Sequence, residues 1–220
     1  MIRRCTTLLL ALLLVAPSLY AGPIDWAAVV PDTGAGDLIG GPVISFVGAP
    51  FPQNTAEGTF FTGDGGDTGN TELNLVYDSH GWFGGSPAFG TVTLAGLTDG
   101  TQYQIQLLGA GDTRGCCSTR TQTASDELGN VSGEFMRGNS SVIGTFTATG
   151  DSQDIILEGA TDPGLSGYIL TDGAGALVEA VNYTPNGTNV TVTVPEPGSL
   201  ILALMAFAAI FGNAGRRQRS

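Results

Sequence analysis

Leu97-Thr98-Asp99-Gly100-Thr101-Gln102-Tyr103-Gln104-Ile105-Gln106-Leu107 reads as a turn feeding a strand. Asp99-Gly100 supplies turn chemistry: aspartate bonds nearby backbone, and glycine accepts a positive φ without steric cost. From Tyr103 onward polar and apolar residues alternate, and a period of two puts Tyr103, Ile105 and Leu107 on one face of a sheet. The same alternation runs through residues 91–94, 144–149 and 190–194. Residues 43–47, 58–61, 72–77, 153–158, 167–170 and 177–183 are further strand candidates. Gly, Asp, Asn and Pro separate them, and the chain carries 34 glycines. Many short strands joined by Gly-rich turns predict an all-β, antiparallel β-sandwich of the jelly-roll kind.

The two ends differ from this body. Arg3 and Arg4, the apolar run 8–16 and Leu19-Tyr20-Ala21 make a secretory signal peptide over 1–21, cut after Ala21, whose helix stands outside the fold. Cys5 precedes the apolar run and leaves with it. At the other end Pro195-Glu196-Pro197 precedes an uncharged stretch, 198–214, and then Arg216, Arg217 and Arg219. As a helix rising ~1.5 Å per residue, the stretch is roughly 26 Å long, a short but feasible span of a ~30 Å hydrocarbon core. It is apolar all round, and arginines with no acid follow it, so the sequence predicts a transmembrane helix with a cytoplasmic basic end. A domain at 22–193 would then lie outside the cytoplasm, with a sorting and anchoring segment at 194–220.

This Pro-Glu-Pro, hydrophobic segment and arginine cluster resemble the PEP-CTERM sorting signal of exported bacterial proteins. The resemblance covers about a tenth of the chain. It implies recognition and removal of the tail by an exosortase-type membrane enzyme, and an association with extracellular polysaccharide and biofilm. The same tail has been labelled the C-terminal domain of ice-binding proteins. In the body, the pattern Leu97-Thr98-x-Gly100-Thr101-x-Tyr103 resembles the start of a strand in fibronectin-type and jelly-roll sandwiches. There a tyrosine packs at a corner and its hydroxyl bonds the backbone. Residues 92–120 also resemble a β-sandwich module of PEP-CTERM proteins, similar in style to galactose-binding-like domains.

Charge narrows the partners. The chain has no lysine, and residues 22–197 hold three arginines against 20 acids, a formal charge of 3 − 20 = −17. Nucleic acid is excluded as an expected partner, because phosphate contacts need clustered Lys and Arg. The expected partners are the processing enzyme, the membrane through the tail, and extracellular polysaccharide.

Candidate chemistry is sparse. His80 is the single histidine, in Asp78-Ser79-His80-Gly81-Trp82-Phe83-Gly84-Gly85, and no Gly-x-Ser-x-Gly elbow accompanies it. It reads as a loop-surface or end-cap residue. Trp82 and Phe83, with Phe89 just beyond, stand among glycines and are candidate sugar-stacking rings; alternatively they plug an open end of the sandwich. Asp64, Asp67 and Asn70 in a Gly-rich stretch are candidate calcium ligands, or plain turn chemistry. Cys116 and Cys117 are neighbours in an oxidising compartment, open to a vicinal disulfide, free thiols or an intermolecular bridge. Asp112, Arg114 and Arg120 surround them and read as an exposed ion pair. Asp126, Glu127 and Glu134 are acids that a glycosidase would need, yet their spacing singles none of them out.

The expectation is an exported, non-enzymatic surface or matrix protein processed at its tail. The alternatives are a secreted carbohydrate-active enzyme of sandwich fold, and ice binding through Thr-rich strands such as 188–194.

Overall fold

A computed structural model of the chain describes residues 22–52, 59–62, 65–84, 88–136 and 138–195. The predicted signal peptide and transmembrane helix lie outside these, as do Asp64, Glu196, Pro197, Arg216, Arg217 and Arg219. Among the described residues no helix is long and apolar enough to cross a membrane.

The fold is mostly β. In chain order the strands are β1 (Asp25–Trp26), β2 (Val43–Ala49), β3 (Thr59–Thr62), β4 (Ser79–Trp82), β5 (Ala88–Ala95) and β6 (Gln102–Gly109). Then come β7 (Thr121–Ser125), β8 (Phe135–Met136), β9 (Ser141–Thr147), β10 (Ser152–Gly159), β11 (Gly164–Asp172), β12 (Leu177–Tyr183) and β13 (Val190–Thr193). A helix, α1 (Thr71–Tyr77), interrupts them. The larger sheet runs β1-β9-β6-β11-β12-β2-β13, with β4 also on β11 and β3 on β4. The smaller runs β5-β10-β7-β8.

Alternation explains the layers. Tyr103, Ile105 and Leu107 of β6, Val142 and Phe146 of β9, and Leu165, Tyr168 and Leu170 of β11 share one core. Val92 and Leu94 of β5, Ala124 of β7, Phe135 of β8, and Ile155 and Leu157 of β10 meet them from the smaller sheet. The larger sheet's opposite face covers a second core, where Leu108, Ile169 and Ala180 pack with Leu73, Val76 and Tyr77 of α1 and with Ile44, Phe46 and Val192. Burying apolar area stabilises at ~25 cal/mol per Å², so both faces of β6, β11 and β12 contribute.

The opening stretch behaves as expected. Thr101 N–H bonds Thr98 C=O at 3.1 Å, and Gly100 sits at φ +75°, a conformation that glycine accepts freely. The Tyr103 hydroxyl returns to accept from Thr98 N–H at 2.9 Å, and its ring stacks on Phe146 at 5.7 Å.

Three expectations change. Residues 72–77 form α1, not a strand: Asn70 caps it by accepting from Leu73 N–H at 2.8 Å, and Leu73, Val76 and Tyr77 are buried at helical spacing while Leu75 is exposed. Pairing is not wholly antiparallel, because β2 lies parallel to β12 through Val181↔Val47 and Tyr183↔Ala49. His80 is on strand β4, fully buried, where β4 is held between β3 and β11. Just after β13, Val194 N–H bonds Pro42 C=O at 2.7 Å, and the next residue, Pro195, is exposed.

Candidate functional site

The rings chosen from sequence part company. Phe83 is fully buried: its N–H bonds Pro163 C=O at 2.8 Å, and its ring tilts against Phe51 at 4.6 Å. It lies over Gly90, where any Cβ would run into the ring. No face of Phe83 is left for a sugar, so it is a core residue that closes the layer between the sheets. Trp82 ends β4 opposite Gly164 and is half-buried.

The proposed calcium residues also have local work. Asp67 accepts from Gly69 N–H at 2.9 Å and from the Asn74 amide at 3.1 Å, and these bonds hold its carboxyl below the usual value. The Asn70 side chain is spent on the α1 cap. Among the described residues no three His, Cys, Asp or Glu side chains gather. The hydrogen bonds of Asp67 and the Asn70 cap are those of turn-and-cap residues.

Cys116 and Cys117 are joined in a vicinal disulfide, with Cys117 buried and Cys116 exposed. The acid nearby is buried, contrary to the exposed ion pair that the sequence predicts. Asp112 is fully buried, and Arg114 grips both its oxygens, Nε to Oδ1 at 2.8 Å and Nη2 to Oδ2 at 2.7 Å. Arg120 pairs with Asp162 instead. Asp126 likewise is structural. Its oxygens accept from Ile24 N–H at 2.8 Å, from Leu128 and Asn130 N–H at 2.9 Å each, and from the Asn130 amide at 2.7 Å. Burial works to raise its pKa, but these bonds outweigh it and hold the carboxyl below its ordinary value.

A cleft that sequence reasoning did not assemble lies on the smaller sheet. It encloses about 250 Å³ and is lined by Thr121, Gln122 and Thr123 of β7, Glu134 just before β8, and Glu158, Gly159 and Ala160 at the end of β10. Leu157 faces the core, so Glu158 faces out. Antiparallel register sets Phe89 of β5 on one side of Glu158 and Thr123 on the other. Continuing the β7–β8 register, Thr121↔Met136 and Gln122↔Phe135, puts Glu134 beside Thr123. Cross-strand partners share a face, so Phe89, Glu158, Thr123 and Glu134 form one row. Phe89 is 59% exposed. Adjacent strands lie ~4.8 Å apart, so three spacings make the row roughly 14 Å long.

The cleft's floor is braced. Buried Gln122 donates to Gly164 C=O at 2.8 Å and accepts from Gly164 N–H at 2.6 Å, which ties the smaller sheet to β11 of the larger. The Arg120–Asp162 pair joins the two chain segments that flank the cleft. Such a surface offers a ring to stack on, carboxylates that accept hydrogen bonds, and threonine hydroxyls that do either.

Among the described residues, the side-chain pKa values that depart clearly from the ordinary ones move away from neutrality. Asp67 and Asp126 are held down, while burial first of all pushes Tyr77, Tyr168 and Tyr183 up. Comparison with protein-family models, with curated proteins and with solved structures finds no match to this chain.

Proposed function

We propose that the chain is an exported, non-enzymatic protein of the cell surface or extracellular matrix, a β-sandwich cargo with a PEP-CTERM tail that an exosortase-type enzyme removes. The observation that carries this reading is the junction at Val194. Val194, just after β13, bonds Pro42, and Pro195 is exposed with Glu196 and Pro197 next in sequence. A processing enzyme needs its recognition motif accessible, and the motif's first residue, Pro195, is exposed directly after the Val194–Pro42 bond. The two sheets that share a core support the sandwich. The acidic body, at −17 over residues 22–197, suits a solvated extracellular protein and disfavours nucleic acid. In this reading the signal peptide exports the chain, the 198–214 helix holds the precursor in the membrane, and the released domain associates with polysaccharide outside.

Mass spectrometry of the mature protein, paired with cell fractionation, tests it. The expected product starts at Gly22, ends within or near Pro195–Pro197 and is found outside the membrane. An intact C-terminus on protein retained in the membrane would replace sorting with plain anchoring.

The second reading, a carbohydrate-active enzyme, draws on one observation: Glu134 and Glu158 line a single cleft. Glycoside hydrolysis uses two carboxyl groups flanking the bond. Release of reducing ends from a polysaccharide by the wild type, abolished in Glu134→Gln and Glu158→Gln, would establish that reading over the binding protein.

A further inference from the structure

We infer that the row Phe89–Glu158–Thr123–Glu134 is a binding strip for uncharged polysaccharide. The inference rests on the polysaccharide association proposed above and assigns it a place and a ligand class.

Four observations converge on the strip. Phe89 is a large apolar ring left 59% exposed, in direct register with Glu158 rather than scattered on a loop. A pyranose presents an apolar face of C–H groups that stacks on such a ring and hydroxyls around its edge. The edge hydroxyls would meet Glu158, Thr123 and Glu134 in turn, two anionic acceptors with a hydroxyl between them. The row lies across the strands on an open sheet, a track that a chain-like ligand can follow. The cleft shares Glu158, Thr123 and Glu134 with the row while Phe89 stands outside its lining, and at about 250 Å³ it is smaller than the ~300–1,000 Å³ usual for whole small-molecule ligands. That size suits a single ring of a longer polymer.

Charge selects among polymers. A uronate or sulfated chain would bring anions to two carboxylates and a domain of net charge −17. It would also lack cationic partners: Arg114 is committed to Asp112 and Arg120 to Asp162, while Arg137 lies outside the described residues. The strip therefore recognises hydroxyls and C–H faces rather than charge. Its rigidity helps, because the Gln122–Gly164 bonds and the Arg120–Asp162 pair set the cleft's walls before a ligand arrives.

Native affinity electrophoresis of the purified full-length protein tests the inference. The gels contain hydroxyethyl cellulose, galactomannan or dextran, with alginate as the anionic comparison. At least one neutral polymer should retard the protein and alginate should not. Phe89→Ala and Glu158→Gln should each weaken that retardation tenfold or more, and Phe89→Trp should keep it. Unchanged melting curves for Phe89→Ala would show the loss to be local. Retardation by a neutral polymer that survives both Phe89→Ala and Glu158→Gln overturns the strip and leaves polysaccharide association standing. Retardation by alginate alone overturns the ligand class, and retardation by none of the polymers removes the strip and the association together.

Discussion

Replacing Asp126 by alanine should detach the first residues of the folded body. Ile24 buries its side chain in the core between the sheets, and its N–H donates to Asp126 Oδ2 at 2.8 Å, across 102 residues of sequence. Asp126 itself is only 2% exposed. Removing the carboxylate leaves the Ile24 N–H without its acceptor, at a cost of ~1–3 kcal/mol for a buried donor. The Leu128 and Asn130 N–H groups lie in an exposed turn where water replaces the lost acceptor, so they add about 0.5 kcal/mol each. The sum is roughly 2–4 kcal/mol, and at ~2–4 °C per kcal/mol for a domain of this size it lowers the melting point by about 5–15 °C. Asp126→Asn keeps one carbonyl acceptor and should lose about half as much. Urea denaturation followed by tryptophan fluorescence reads the change, because Trp26 sits two residues from Ile24 and donates to Asn130 C=O at 3.1 Å. The pH dependence follows from the direction of the shift. The folded pKa lies below the ordinary 3.8, so the stabilisation is fully present above that value and is lost as pH falls through the folded pKa. The gap between wild type and Asp126→Asn should be constant from pH 7 to about 5 and should close in acid. An alanine variant within about 0.5 kcal/mol of wild type at pH 7, or a gap that widens in acid, would refute the reasoning.

Phe83→Ala empties a fully buried site and should cost ~3–5 kcal/mol by chemical denaturation. Gly90→Ala drives a methyl into the Phe83 ring from the facing sheet, and the same assay should show a loss of ~1–3 kcal/mol. Asn70→Ala removes the α1 cap at a cost of about 1 kcal/mol, visible as a lower urea midpoint with an unchanged m-value. Reduction of Cys116–Cys117 should raise the intact mass by two hydrogens and leave the melting curve almost unmoved, because a bond between neighbours closes scarcely any chain.

Most strands were legible because alternation is written locally. Residues 177–183 form β12 at those bounds, and the stretches at 103–107 and 153–158 fall inside β6 and β10. The tyrosine corner was legible too, since Thr98 and Tyr103 are five residues apart and one turn brings them together. Residues 72–77 misled for a specific reason. Glu72-Leu73-Asn74-Leu75 alternates as a strand would, and in so short a run the two periods overlap. Packing decides between them, and it buries Val76 and exposes Leu75. The glycines around His80 and Phe83 suggested a surface loop. They serve close packing instead: Gly81 abuts the Phe51 ring, and β4 is buried between two strands.

The candidate strip shows the same limit. Phe89 and Glu134 each stood out in sequence only as one aromatic and one acid among many. The outward parity of Glu158 was readable from Ile155 and Leu157, but not its neighbours. By itself the sequence determined the β class, the inward-facing residues of most strands and the acidic charge of the body, because composition and period two are properties of short windows. The tertiary structure alone decided that β2 runs parallel to β12, that Asp126 holds Ile24, and that Phe89, Glu158, Thr123 and Glu134 stand in one row. Those outcomes depend on which strands pair and in what register, and register is set by the burial of whole faces against each other across the fold.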